Sequence, residues 1–234
     1  MAPSEHPAGR TPSQRRASPA RRTPPRAAVG GAIVAILLVA AFGAFLRLTH
    51  TGALPIDTWW NSVVTVERGS GPYAVAVFLA QVGDGAGSAA LVAILAALCF
   101  ALRRPRDAAA LMTAALIGVA CSETAKALVL RVRPSGQLFE SHGASYPSGH
   151  SMGAAAIAVS IALIAIGSER LGPQLTRWII VAAGIWIVAM LWSRTALHVH
   201  WLTDTLAGAA LGAAAAVLAR RLWFSPERRP ALSR

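Results

Sequence analysis

Apolar runs long enough to cross a lipid bilayer recur along this chain, and they limit its fold more than any other feature. Short segments rich in Arg, Gly and Pro separate them. About 20 consecutive apolar residues suffice for a helix that spans the hydrocarbon core. The composition agrees, because 55% of the residues are hydrophobic and only 14% are charged. The sequence therefore predicts an all-α integral membrane protein.

A bundle of six spanning helices accounts for the apolar runs. The predicted spans are 27–48, 86–102, 107–130, 148–167, 175–192 and 200–222. An additional apolar stretch, 72–82, precedes a break at Gly83-Asp84-Gly85, and we expect it to lie at the outer surface. In the segment 49–71, Asp57 can cap a short amphipathic helix whose Trp59 and Trp60 suit the lipid headgroup layer.

The basic charge follows the loops between the predicted spans. Sixteen of the 22 lysines and arginines lie in four places: the first 26 residues, the segment 103–106, Arg170 with Arg177, and the tail from Arg220. These segments alternate along the chain, as the positive-inside rule requires of cytoplasmic loops. The net charge of +12 is therefore a topology signal, and we predict no nucleic-acid partner.

The two ends of the chain differ from its core in composition. Residues 1–26 are rich in Pro, Ser and Arg, which predicts a disordered cytoplasmic arm. Residues 27–222 form the predicted transmembrane domain, and residues 223–234 a basic cytoplasmic tail. The first apolar run is longer than a typical signal-peptide core, so we interpret it as a retained helix, with cleavage as the alternative.

Several cations stand on the side of the membrane where positive charge is disfavoured. Lys126, the only lysine, precedes Arg133-Pro134 by seven positions, and Arg131 and Arg194 lie at the same predicted outer ends. Ionisable residues at membrane depth are functional candidates because they are costly to insert. We predict that Lys126, Arg133 and Arg194 bind an anion. For Arg131, snorkelling to lipid headgroups is an equal alternative.

The tetrapeptide Pro147-Ser148-Gly149-His150 immediately precedes an apolar helix. Ser148 and Gly149 then lie at the helix N-terminus, where free backbone N–H groups and the helix dipole bind anions such as phosphate. Gly149 permits close approach of that backbone, and the Ser148 hydroxyl adds a donor. An ordinary capped helix start is the alternative interpretation.

His200 and Asp204 are four residues apart at the predicted start of the last helix, so we expect their side chains to share one face. A carboxylate bonded to one imidazole nitrogen leaves the other as a base, nucleophile or metal ligand. His198 is a rival nucleophile, but Leu202 stands four residues beyond it. A polar pair that closes a headgroup contact is the alternative.

A metal centre is another alternative for these residues. Candidate ligand types are present in Glu123, His150, His198, His200 and Asp204. Neither an HExxH run nor a Cys-His cluster accompanies them. Three cations near the same site would also repel a metal ion. We therefore predict no metal site.

Together these residues resemble the three-part signature of the type 2 phosphatidic acid phosphatase superfamily, which is shared with vanadium haloperoxidases. Eleven specified positions are filled in order: Lys126, Arg133, Pro134, Pro147, Ser148, Gly149, His150, Ser193, Arg194, His200 and Asp204. The resemblance covers residues 57–222. Tyr146 stands where Phe is frequent, a departure that touches no catalytic position.

The resemblance implies a catalytic scheme. His200 would attack phosphorus and form a phosphohistidine, with Asp204 orienting its ring, and His150 would protonate the leaving oxygen and then help to activate water. The phosphate-binding residues would be Lys126, Arg133, Ser148, Gly149 and Arg194. The scheme requires no metal or other cofactor.

The resulting prediction is a lipid phosphatase of a bacterial plasma membrane, with both termini cytoplasmic and the site facing outward. Its substrate would be a polyprenyl diphosphate such as undecaprenyl diphosphate, phosphatidic acid or phosphatidylglycerol phosphate. The preference for Arg over Lys, typical of a GC-rich genome, favours a bacterium. Three alternatives remain: a phosphotransferase with the same phosphohistidine, a haloperoxidase that holds vanadate, and a non-enzymatic lipid-binding or transport protein.

Overall fold

The computed structural model describes residues 23–225, and this part of the chain folds into α-helices without any strand. Its eight helices are α1 (Arg26–Thr49), α2 (Pro55–Val64), α3 (Gly71–Val82), α4 (Gly85–Ala101), α5 (Pro105–Val129), α6 (Gly149–Ile166), α7 (Pro173–Ala196) and α8 (Leu202–Phe224). The predicted all-α fold is confirmed. Residues 1–22 of the predicted arm, and the tail from residue 226, lie outside the described residues.

Five of these helices are long and apolar enough to cross a membrane by themselves: α1, α5, α6, α7 and α8. Helices α3 and α4 pass the same test as a pair, but the pair bends by 61° at its break. Asp84 begins the second half, because its Oδ1 accepts a 2.6 Å hydrogen bond from the Gly87 N–H. The described chain is therefore a multi-pass membrane bundle, with six spans when the bent pair counts as one.

Helix α8 packs against α1, α5 and α6. Its contact with α6 depends on Gly208 and Gly212, which are one turn apart. A Cβ atom at Gly208 would collide with the Ser148 carbonyl oxygen, and one at Gly212 with the Met152 carbonyl oxygen. Glycine at both positions lets the two backbones meet, which brings the N-terminal ends of α6 and α8 together.

The junction between α7 and α8 differs from the predicted boundaries. Helix α7 continues to Ala196, beyond the predicted end at 192, and α8 begins at Leu202 rather than at His200. The His200 N–H donates to the Arg194 carbonyl oxygen at 3.3 Å, so this part of the chain folds back onto α7. The expectation that His200 and Asp204 share a face of one helix is therefore wrong.

Candidate active site

Four helix ends that carry the predicted motifs meet at one end of the bundle. They are the C-terminal ends of α5 and α7 and the N-terminal ends of α6 and α8. The Ser148 N–H donates to the Asp204 carbonyl oxygen at 3.0 Å, which ties the start of α6 to the start of α8. The loops 130–148 and 197–201 complete this end of the molecule. The three sequence motifs thus lie together.

His200 is buried, and its two ring nitrogens have different partners. Nδ1 lies 2.8 Å from the Ser145 carbonyl oxygen, which can only accept, so Nδ1 carries the proton. Nε2 lies 3.2 Å from Nη1 of Arg133, which can only donate. Nε2 therefore holds a lone pair, and it is the nitrogen that can act as a nucleophile or base.

The surroundings of His200 favour its neutral form. Burial lowers the pKa of His200 to about 4, because the charged ring loses its hydration. Asp204 opposes this shift, whereas Arg133 and Arg194 act in the same direction as burial. At neutral pH the ring is uncharged, so its Nε2 lone pair is available for chemistry.

Asp204 is fully buried, and its carboxylate binds three neighbours other than the imidazole. Oδ2 accepts hydrogen bonds from the Ser145 hydroxyl (2.5 Å) and the Trp201 N–H (2.9 Å). Oδ1 accepts from Nη1 of Arg131 at 2.6 Å. The nearest imidazole nitrogen, Nδ1 of His200, is 3.7 Å from Oδ2. Asp204 thus acts on the ring through its charge rather than through the expected direct hydrogen bond.

Sequence reasoning misses Ser145, which joins these two residues. Its carbonyl oxygen holds the His200 ring, and its hydroxyl donates to Asp204. The side chain is completely buried. A single serine in a loop has no periodicity or spacing that distinguishes it, so its only signal is its position just before the Pro147-Ser148-Gly149-His150 motif.

Arg194 presents unsatisfied donors inside the protein. The residue is fully buried, its Nη2 makes a long contact of 3.4 Å with the Ser141 hydroxyl, and its Cζ stands 5.6 Å from the Phe139 ring centroid. Among residues 23–225, its Nε and Nη1 have no hydrogen-bond partner. A buried guanidinium without a counter-charge is costly. Arg194 therefore fits a site that binds an anion.

The other two predicted anion ligands lie nearby and are already bonded. Arg133 donates to the Val199 carbonyl oxygen at 2.6 Å and to carbonyls of the 142–144 loop. Lys126 Nζ donates to Oε1 of Glu123 at 2.7 Å. The same Nζ is 3.4 Å from the place that a Cβ atom on Gly149 would occupy. Lys126 thus stands against the N-terminus of α6, where an anion would also bind.

The start of α6 carries a helix cap, Ser148, and a candidate group for proton transfer, His150. The Ser148 hydroxyl caps the helix by accepting from the N–H and the hydroxyl of Ser151 (3.3 and 3.1 Å). Nε2 of His150 lies 3.1 Å from the Ala80 carbonyl oxygen. Since a carbonyl only accepts, Nε2 carries a proton and Nδ1 is the nitrogen left for proton transfer.

Arg131 faces the protein interior and not the lipid. Only 1% of the residue is exposed, and its guanidinium pairs with Asp57 and with Asp204, each at 2.6 Å. The snorkelling alternative for this arginine is therefore wrong. No sequence pattern connects this loop arginine to Asp57, which lies in α2.

Glu140, His142 and His198 have partners other than the residues of the anion site. Glu140 contacts His142 at 3.1 Å in an exposed part of the loop. His198, the rival nucleophile, places Nε2 at 3.0 Å from the Thr65 hydroxyl. Within residues 23–225, no three side chains of His, Cys, Asp or Glu form a group that could hold a metal ion.

Comparison with known families agrees with this arrangement. The family model of the PAP2 superfamily matches residues 107–228, which is more than half of the chain. The chain belongs to the PAP2 superfamily. The resemblance inferred from the motifs is thereby confirmed, and the matched range contains all three of them. It begins at residue 107 rather than at the expected residue 57.

Two solved structures share the fold of this chain. The first transmembrane PAP2 type phosphatidylglycerolphosphate phosphatase from Bacillus subtilis is 23% identical with a TM-score of 0.71, covering 82% of this chain and 94% of that one. Aquifex aeolicus LpxE is 18% identical with a TM-score of 0.58, covering 71% of this chain and 95% of that one. No curated protein sequence matches the chain. The covered shares of this chain are larger than the range 107–228, so the likeness extends beyond the part that the family model matches.

Proposed function

We propose that this protein is a membrane lipid phosphatase that works through a phosphohistidine on His200. The observation that carries the proposal is the buried Arg194, whose Nε and Nη1 lack partners in the described chain, together with the His200 imidazole, whose Nε2 is unprotonated. A phosphoryl group has several acceptor oxygens for such donors and a central atom for the lone pair to attack. Membership of the PAP2 superfamily supports this reaction.

In the first step Nε2 of His200 attacks phosphorus, and the bond from phosphorus to the leaving oxygen breaks. This step starts from the imidazolium form of His150, with a proton on each ring nitrogen. The electron pair of that bond stays on the leaving oxygen, which takes the proton from Nδ1 and leaves His150 neutral. The other imidazole proton stays throughout on Nε2 of His150, which donates to the Ala80 carbonyl oxygen. The phosphoryl oxygens are held by the N-terminus of α6 and by three cations: Lys126, Arg133 and Arg194.

In the second step water is the nucleophile. Neutral His150 accepts a proton from the water, whose oxygen attacks phosphorus while the bond to Nε2 of His200 breaks and its electron pair returns to the ring. Inorganic phosphate then leaves. During both steps Ser145 keeps the Nδ1 proton of His200 in place, and Asp204 balances the positive charge on the ring.

The proposed site faces the outside of a bacterial plasma membrane, with both termini inside. The loops and first helical turns at the opposite end of the bundle carry a group of arginines that supports this orientation: Arg103, Arg104, Arg106, Arg170 and Arg177. The predominance of arginine over lysine supports the bacterial origin.

The proposed substrates are lipids that end in phosphate or diphosphate: polyprenyl diphosphate, phosphatidic acid and phosphatidylglycerol phosphate. The last is supported by the B. subtilis structure, whose name gives phosphatidylglycerolphosphate phosphatase. A phosphotransferase would use the same phosphohistidine and would pass the group to a lipid or sugar acceptor instead of water.

Purified protein in lipid or detergent micelles should release inorganic phosphate from at least one lipid of this panel. Because every proposed role belongs to a side chain or backbone group of the protein, EDTA should leave the rate within about twofold. Phosphate release with and without EDTA measures both points. Loss of activity that added metal restores would contradict a metal-independent reaction, and phosphate found on an added acceptor would favour the transferase.

Arg194→Gln should lower kcat/KM by about 10²–10³-fold, the usual effect of removing one group that stabilises transition-state charge. The substitution removes the guanidinium whose Nε and Nη1 are without partners among the described residues. Phosphate release at several lipid concentrations, with inhibition by orthovanadate as a second measurement, tests this. Arg177→Gln, at the opposite end of the same helix, is the matched control and should retain wild-type activity.

A further inference from the structure

A buried chain of charges lies behind His200, and the reaction scheme above does not use all of it. Arg131 stands between two carboxylates, with Nη2 at 2.6 Å from Oδ2 of Asp57 and Nη1 at 2.6 Å from Oδ1 of Asp204. All three side chains have no exposed surface. Thr203 links them, because its hydroxyl accepts from Arg131 at 2.7 Å and lies 2.9 Å from Oδ1 of Asp57.

Asp57 reaches this cluster from α2, a short helix outside the three motifs. Its carboxylate also accepts from the N–H of Leu54 (3.1 Å) and from the N–H of Thr203 (3.0 Å). Trp60 on the same helix donates its indole N–H to the Thr195 hydroxyl at 3.0 Å, which fixes α2 against α7. Hydrogen bonds to its carboxylate and the contact of α2 with α7 thus fix the position of Asp57 beside Arg131.

The charges of this cluster sum to one negative charge. Two ionised carboxylates and one guanidinium leave −1 behind the His200 ring. If Asp57 were neutral, Arg131 would cancel the charge of Asp204, and the ring would lose the field that stabilises its positive form during phosphoryl transfer. If Arg131 were absent, two buried carboxylates would face each other without a counter-charge.

We infer that Asp57 and Arg131 are positioning residues for the reaction at His200, which rests on the proposed function. Arg131 holds the Asp204 carboxylate beside the imidazole through a charge-assisted hydrogen bond. Asp57 partly neutralises the charge of Arg131, so the negative charge of Asp204 still stabilises the positive form of the imidazole. Neither residue touches the phosphoryl group, so both should act on kcat more than on KM.

Asp57→Asn, Arg131→Met and the double variant test this inference. Asn keeps an oxygen that can accept from Thr203 while removing the charge. Asp57→Asn should lower kcat about tenfold and leave KM within about twofold, as expected for contacting charges that are coupled. The double variant restores the net charge of −1, and Asp204 keeps its bonds to Ser145 and the Trp201 N–H. Its kcat should therefore be at least about threefold higher than that of Asp57→Asn.

If the two residues had only a structural role, kcat of the double variant should be lower than that of Asp57→Asn, because the second substitution would remove further contacts. A double variant no more active than Asp57→Asn would overturn the inference, as would wild-type kcat in Asp57→Asn. If Asp57→Asn fails to fold, the double variant alone tests the inference. A kcat of about a tenth of the wild-type value or more supports it, and a lower kcat overturns it. Absence of phosphate release by the wild-type protein would overturn the proposed function and this inference with it.

Asp107→Asn is the matched control. Asp107 is a buried carboxylate at the other end of the bundle, bonded to Arg104 (2.8 Å) and Arg220 (2.9 Å). It loses the same charge in a comparable setting but far from His200. Thermal unfolding should show that Asp107→Asn and Asp57→Asn are destabilised to a similar degree, whereas only Asp57→Asn loses kcat. Equal loss of kcat in both variants would mean that destabilisation explains the effect.

Discussion

Replacing His200 with alanine should abolish phosphate release, with a loss of about 10⁶-fold in kcat, the scale seen when an enzyme loses its nucleophile. The substitution removes Nε2, the lone-pair nitrogen that Arg133 covers at 3.2 Å. The variant keeps the Ser145 carbonyl that orients the wild-type ring, but it has no imidazole at that position to attack phosphorus. Phosphate release from the best lipid of the panel gives the rate. Rapid quenching with labelled substrate should trap an acid-labile phosphoprotein in the wild type and none in the variant.

His198→Ala is the control for this experiment. His198 lies in the same loop, and its Nε2 contacts the Thr65 hydroxyl rather than the anion site. Activity within about fivefold of wild type is expected, the effect of a substitution away from the reacting atoms. If His198→Ala abolished release and His200→Ala did not, the nucleophile would be His198 and the assignment of Nε2 would be wrong.

The sequence predicts the membrane fold well because its signals are local. Hydropathy and loop arginines determine where a helix can cross a bilayer, and α1, α5 and α6 begin and end within two residues of the predicted boundaries. The break at Gly83-Asp84-Gly85 is also local, since Asp84 caps the helix that follows it. The end of α7, at Ala196 instead of the predicted 192, could not be found in this way, because the chain turns back after it and the N–H of His200 donates to the Arg194 carbonyl.

The residues behind His200 show the limit of spacing arguments. The motifs identify the groups that would touch a phosphoryl oxygen, whereas Arg131 owes its role to Asp57, which is 74 positions away along the chain. Taken alone, an arginine at a helix end is as well explained by lipid headgroups as by an ion pair. Ser145 is a similar case, because its carbonyl and hydroxyl act through geometry that exists only once α6 and α8 are packed together.

Replacing His150 with alanine should lower kcat on lipid phosphates by about 10²–10⁴-fold, the usual contribution of a general acid. The size of the loss should depend on the leaving group. A lipid alkoxide needs a proton as it departs, whereas p-nitrophenolate departs without one. The first turnover on p-nitrophenyl phosphate should therefore fall by less than about tenfold. Rapid mixing that follows p-nitrophenol release separates this first turnover from later ones.

His150→Ala should also slow the hydrolysis of the phosphohistidine, and this effect can be measured separately from the first step. Without His150 to take a proton from water, the phosphohistidine on His200 should accumulate. His150→Ala should then release about one equivalent of p-nitrophenol in a burst and turn over slowly afterwards. An equal loss on both substrates in the first turnover would contradict the acid role, because it would mean that His150 only shapes the site. His142→Ala, in the exposed part of the loop, should behave as the wild type, so a burst in that variant would point to a cause other than His150.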